Sequence, residues 1–180
     1  MDSRYASKEE LAFYLATAPD PKSDFKTTLW VDQYTSTELP ELPANLTSLR
    51  LHHCKSLTAL PELPPSLNDL WIHNTPNLAK LPNLPSTLKF LLFTEEKTIR
   101  NVECSTLPSL PEGLIELRLA ITGITELPTF PKSLRALRIC LPGIKDLPLL
   151  PSTLEFLHLS GCSGLLDRKI QVGNLSIRVG

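Results

Sequence analysis

The sequence predicts an α/β repeat solenoid. Three observations carry that prediction: a leucine-and-proline phrase that returns six times, leucines two apart at the end of each phrase, and a helix-forming stretch ahead of the first copy. The phrases are LPELPANLTSLRL from Leu39, LPELPPSLNDLWI from Leu60, LPNLPSTLKFLLF from Leu81, LPSLPEGLIELRL from Leu107, LPTFPKSLRALRI from Leu127 and LPLLPSTLEFLHL from Leu147. Their template is L-P-x-[LF]-P-x-x-L-x-x-L-x-[LIF], with starts 21, 21, 26, 20 and 20 residues apart. That period is the spacing of a leucine-rich repeat. A partial earlier copy begins at Leu29-Trp30-Val31. The expected molecule is a leucine-rich-repeat horseshoe with a parallel β-sheet on its concave face, an extended, polyproline II convex side and an N-terminal capping helix.

Each element has a local reason. Ser7-Lys8-Glu9-Glu10 reads as a capping box, in which the serine and the glutamate three residues on satisfy each other's amides. Leu11, Tyr14, Leu15 and Ala18 follow at helical spacing and Pro19 ends the run, so a helix over 8–18 is expected to cover the first repeat. In the phrases, pairs such as Leu49-Arg50-Leu51 and Leu117-Arg118-Leu119 have period two, so the leucines point inward and the middle residue outward. The L-P-x-L-P part cannot be helical, because proline lacks the amide donor and biases its predecessor away from αR. It suits polyproline II, whose three residues per turn put Leu60 and Leu63 on one side. One copy cannot bury its own leucines, so stability comes from stacking. The predicted organisation is one structural domain: a helical cap over 1–24, one partial and six full repeats over 25–165, and a C-terminal cap over 166–180. The alternating Asn174 to Val179 is expected to add a last strand to the sheet. The copy from Leu81 is lengthened by a segment around Arg100 to Thr106, read as an insertion on the rim.

The charge balance excludes some function classes. A formal net charge of -1 argues against nucleic acid or an anionic membrane as the main partner. No window approaches the roughly 18 apolar residues of a membrane span, and MDSRYASKEE lacks the basic and apolar regions of a secretory signal. Cys54, Cys104, Cys140 and Cys162 include no CxxC pair and read as free thiols of a reducing cytosol.

Subtracting the scaffold leaves the outward residues of the strands. Stacked in register, they form a central column of Trp30, Arg50, Trp71, Leu92, Arg118, Arg138 and His158, with Arg178 as an extension. One flanking column contains Phe90, Glu116 and Phe156, and the other contains His52, His73 and Thr94. Trp71, Phe90 and Leu92 are expected to make an apolar patch beside the arginines, and tryptophan and arginine are the residue types enriched at binding hot spots. The candidate partner-binding residues are Trp30, Arg50, Trp71, His73, Phe90, Leu92, Arg118, Arg138, Phe156 and His158. The expected partner is a protein with acidic and apolar surface.

Other constellations have structural readings. Zinc wants four ligands and Cys54 should face inward, so His52, His53 and His73 are read as ordinary exposed histidines rather than a metal site. Gly161-Cys162-Ser163-Gly164 has no base beside it and is read as a repeat turn rather than a nucleophile. The Pro40 and Pro43 spacing recurs in every copy, which makes it scaffold rather than a peptide ligand. No catalytic residue, cofactor or metal is expected.

Over about residues 25 to 165 the LPxLPxxLxxLxL repeat resembles the short leucine-rich repeats of bacterial effector proteins, the YopM and IpaH group. The resemblance implies a non-enzymatic module, an effector or adaptor delivered to a host cytoplasm that binds a host protein through its concave face. In that family an asparagine three residues after the second strand leucine bonds the neighbouring turns. Here those positions hold Cys54, Thr75, Glu96, Thr122, Pro142 and Cys162, so the ladder should be irregular at Glu96 and Pro142. Fifteen residues follow Leu165, too few within this chain for the ubiquitin-ligase domain of some members. LRLHHCKSLTALPELPPSL and LHLSGCSGL are also similar to repeats of plant intracellular immune receptors. Two further readings are an immunity or sensor protein that recognises a toxin or ligand, and the substrate-recognition portion of a larger enzyme such as a ubiquitin ligase.

Overall fold

The computed structural model describes residues 7–17, 27–96, 104–165, 169–172 and 175–178. Helix α1 spans Lys8–Thr17. Seven strands follow: β1 Thr28–Asp32, β2 Ser48–His52, β3 Asp69–His73, β4 Phe90–Thr94, β5 Glu116–Ala120, β6 Ala136–Ile139 and β7 Phe156–Leu159. They form one sheet in sequence order, every neighbouring pair parallel. A one-turn 3-10 segment at Ser163–Leu165 closes the last repeat. β8 Lys169–Val172 and β9 Leu175–Arg178 then pair with each other. The molecule is a leucine-rich-repeat solenoid, one strand per copy of the phrase.

Each copy folds the same way because proline and leucine play fixed parts. The N–H of the leucine after each second proline donates to that proline's carbonyl, as in Leu46 to Pro43, Leu67 to Pro64 and Leu88 to Pro85, each at 3.0 Å. This three-residue return turns the chain from the convex segment into the strand. At the strand start one carbonyl of the preceding copy accepts two successive amides: Thr27 from Thr47 and Ser48, Thr47 from Asn68 and Asp69, Asn68 from Lys89 and Phe90. The inward leucines of the phrase, among them Leu46, Leu49, Leu51, Leu67 and Leu70, are at most 1% exposed and form one continuous core. At roughly 1.5–3 kcal/mol for each fully buried leucine, these contacts between copies supply what an isolated copy lacks.

A second ladder runs beside the leucines. The hydroxyl just before the turn leucine donates back to carbonyls of the preceding copy: Ser66 to Ala44 and Leu46, Thr87 to Pro65 and Leu67, Ser133 to Leu114, Thr153 to Lys132 and Leu134. The template leaves this position open, although four of the six phrases carry Ser or Thr there.

The cap forms as expected where the chain is described. Ser7 Oγ accepts the Glu10 N–H at 3.3 Å, Leu11 is fully buried, and Lys8 binds the first copy through its amide to Ser36 Oγ and its ammonium to Glu38. Ala18 and Pro19 lie outside the described residues, as do Arg100 to Glu103 of the insertion.

Two expectations are corrected. Of the stretch expected to extend the main sheet, the described Leu175–Arg178 is antiparallel to Lys169–Val172 in a separate two-stranded sheet, so Arg178 does not join the central column. Parallel pairing needs a crossover of a dozen or more residues. The stretch before β9 has no L-P-x-L-P phrase to supply it, and pairing with the adjacent β8 closes a far shorter loop.

The second correction concerns the turn after each strand. Cys54 points inward as expected, with Thr75 and Cys162, and the ladder is irregular at Glu96 and Pro142 as expected, but Thr122 is exposed too. In these three turns the inward place belongs to Glu95, Ile121 and Leu141, one residue earlier. The cause is a left-handed residue. Gln33, His53, Asn74 and Gly161 have φ of 55, 51, 57 and 62°, and each precedes the inward Tyr34, Cys54, Thr75 or Cys162. The turns after β4, β5 and β6 lack that extra residue. The difference is written in repeat length, since the copies from Leu107 and Leu127 are 20 residues long and those from Leu39 and Leu60 are 21.

Candidate functional site

The parallel register brings the outward residues together as the sequence expects. Trp30 pairs with Arg50, Arg50 with Trp71, Trp71 with Leu92, Leu92 with Arg118, Arg118 with Arg138, and Arg138 with His158. The column before it carries Asp69, Phe90, Glu116, Ala136 and Phe156, and the one after carries Asp32, His52, His73, Thr94 and Ala120. All ten candidate residues therefore lie on the concave face of one sheet, with neighbouring strands about 4.8 Å apart.

Their exposure refines the expected patch. Trp30, Phe90 and Phe156 are exposed at 43%, 38% and 44%. Trp71 and Leu92 are half-buried. The Arg50 guanidinium lies 4.4 Å from the centroid of the Trp71 ring and covers it. Arg138 packs in the same way 4.7 Å from the Phe156 ring, with Glu116 4.0 Å from its Nε. Such pairs are cation–π contacts, worth about 0.5–1 kcal/mol where exposed. They also hold long side chains in place, which lowers the ordering cost when a partner docks. Arg118, Ala120, Arg138, Phe156 and His158 line a shallow hollow of about 190 Å³ at the C-terminal half of the face.

Charge is patterned rather than uniform. Arg118 and Arg138 are adjacent and exposed, and Glu116 offsets the second of them. In the N-terminal half, burial pushes the Asp69 carboxyl up while nearby Arg50 opposes the shift.

The third column carries a histidine cluster at the strand ends. The rings of His52 and His73 are 5.3 Å apart, those of His53 and His73 5.7 Å, and those of His52 and His53 6.1 Å. All three are half-buried, not the freely exposed histidines expected. Burial, and next the neighbouring His73, hold His52 below its ordinary range; burial, and next His53, do the same for His73. Glu96, expected to interrupt the ladder, stands outside beside them: one donor atom each from His53, His73 and Glu96 lie within 4.8 Å of one another. Its neighbour Glu95 takes the core place, where its Oε1 accepts the Thr75 N–H at 2.8 Å and burial pushes the carboxyl up to about 7. In the later turns a signal exists in the spacing from the second inward strand residue to the last core residue of the turn, six in Leu51–Leu57 and Ile72–Leu78 but five in Leu119–Ile124 and Ile139–Ile144. In the copy from Leu81 the next apolar residue, Ile99, stands six after Phe93, so nothing in the spacing there marks Glu95 as the inward acid.

The thiols are core groups. Cys54, Cys104 and Cys162 are buried and Cys140 half-buried, all four unpaired. Burial pushes the Cys54 thiol up to about 11, away from nucleophilic chemistry.

Among the described residues no helix is long and apolar enough to cross a membrane. No family model matches the chain, and no curated protein matches it. Among solved structures it is similar to YopM from Yersinia enterocolitica WA-314, with a TM-score of 0.43 and 24% identity, over 74% of this chain and 38% of that one; the chain spans well under half of YopM's length.

Proposed function

We propose that this solenoid is a non-enzymatic module that binds another protein through its concave face, as an effector or adaptor acting in a host cytosol. The observation that carries the reading is the in-register column of tryptophan and arginine, flanked by the exposed rings of Phe90 and Phe156. Large rigid aromatics and arginines already held against them are the anchors that interfaces use. The arginine pair and the aromatic rings favour a partner surface with acidic and apolar groups. The effector role rests on the resemblance of the repeats themselves. In this reading the cap over 1–24, the repeats over 25–165 and the C-terminal cap over 166–180 act as one domain.

A paired capture experiment tests it. Wild type and a Trp71→Ala, Arg118→Glu double variant, both checked for the same unfolding midpoint, are used as baits in host-cell lysate. The reading expects specific proteins on the wild type to be lost from the variant. Identical captured sets on both baits would overturn it.

A further inference from the structure

We propose that His53, His73 and Glu96 form a binding site for a divalent transition metal, zinc foremost, at the rim of the concave face. The three come from successive copies: His53 follows β2, His73 ends β3 and Glu96 follows β4. Their donor atoms already lie within 4.8 Å of one another. A tetrahedral zinc with bonds near 2.0–2.1 Å needs about 3.3 Å between donors. Rotation of the exposed Glu96 side chain and small tilts of two half-buried rings supply the difference.

Second contacts on both histidines prepare the site. His73 Nδ1 lies 2.9 Å from Thr94 Oγ1, and His53 Nδ1 lies 2.7 Å from the Asn74 side-chain amide. Metal-bound histidines hold their other ring nitrogen in such a contact, which orients the ring and selects the tautomer. Thr94 can accept from His73 Nδ1–H and leave Nε2 for the metal. Asn74 is 2% exposed and its Oδ1 has no hydrogen-bond partner, while its Nδ2 faces His53. Exchanging the amide's oxygen and nitrogen lets Oδ1 accept from His53 Nδ1–H, again freeing Nε2.

The ligand set defines the metal. Two imidazoles and one carboxylate suit zinc and its first-row neighbours, whereas calcium and magnesium take oxygen-only sites. Three protein ligands leave a fourth position for water or a donor from a bound molecule. The site shares His73 with the candidate partner-binding residues, but its test reads zinc alone and so separates it from the protein-binding reading.

That test is calorimetric titration of the untagged, chelator-stripped full chain with zinc chloride, repeated with calcium and followed by the visible spectrum with cobalt. The expected result is one saturable zinc per chain, no competition from excess calcium, and a tetrahedral cobalt spectrum. Glu96→Gln, His73→Ala and His53→Asn should each weaken zinc at least tenfold. Asparagine is chosen at 53 because it tolerates the left-handed backbone, and the exposed Glu96 can change without touching the core. Cys140→Ser should bind like wild type. No saturable zinc binding by wild type, wild-type affinity in the three ligand variants, or loss of binding in Cys140→Ser would each overturn the site.

Discussion

Gly164 shows how tightly successive copies approach. A β-carbon at this position would sit 2.2 Å from the Ile144 carbonyl oxygen and 3.1 Å from its carbon, both backbone atoms of the preceding turn. Both are backbone, which cannot swing aside as the end of a side chain can. Gly164→Ala should therefore destabilise the protein by about 1–3 kcal/mol, the usual cost of overpacking, read as a lower urea midpoint with unchanged slope. Residue 161 differs: its φ of 62° lies in the left-handed region that Gln33, His53 and Asn74 occupy in the earlier turns, where glycine carries the least strain but is not required. The Gly161-Cys162-Ser163-Gly164 run thus has a full scaffold explanation. Trp71 is also clearer at this scale, as a half-buried ring under Arg50 rather than a bare hydrophobe.

Among the elements, the strands were the most legible part. Leucines two apart define the inward face, and a register slip of one would turn every leucine to solvent, so the columns could be written down residue by residue. The turns were less legible because a single left-handed residue decides which of two neighbours points inward. Leu51–Leu57 and Leu119–Ile124 differ by one in spacing, a small signal beside six matching phrases. After β4, where no such spacing marks it, the same choice buries Glu95 and leaves Glu96 outside beside the histidines. The hydroxyl ladder was missed for another reason: a serine or threonine in a proline-rich turn has an adequate local explanation. Its contribution can be measured. Thr87→Val keeps the shape and removes the donor to Pro65 and Leu67, and should cost about 0.5–1.5 kcal/mol by chemical denaturation. An unchanged midpoint would show that the ladder is incidental.

At the scale of the whole molecule, the repeats divide the work between faces. Leucines, prolines and turn hydroxyls hold copy to copy, and the strand middles are left to vary. That variation, from Trp30 and Arg50 through Leu92 to the Arg118 and Arg138 pair, distinguishes one copy's outer face from the next. The C-terminal end was misread because alternation alone does not choose between joining a distant sheet and pairing with a neighbour. Chain proximity made that choice. The central claim is that the concave columns, not the proline-rich convex side, contact the partner. The most direct measurement is the affinity of a captured partner for single substitutions on both faces: Trp71→Ala, Phe90→Ala and Arg118→Glu on the sheet, and Leu149→Ser at a convex position that is 78% exposed. The account predicts that each concave change weakens binding at least tenfold, about 1.4 kcal/mol, and that Leu149→Ser leaves it unchanged. Loss of affinity at Leu149 with wild-type affinity in the three concave variants would contradict it.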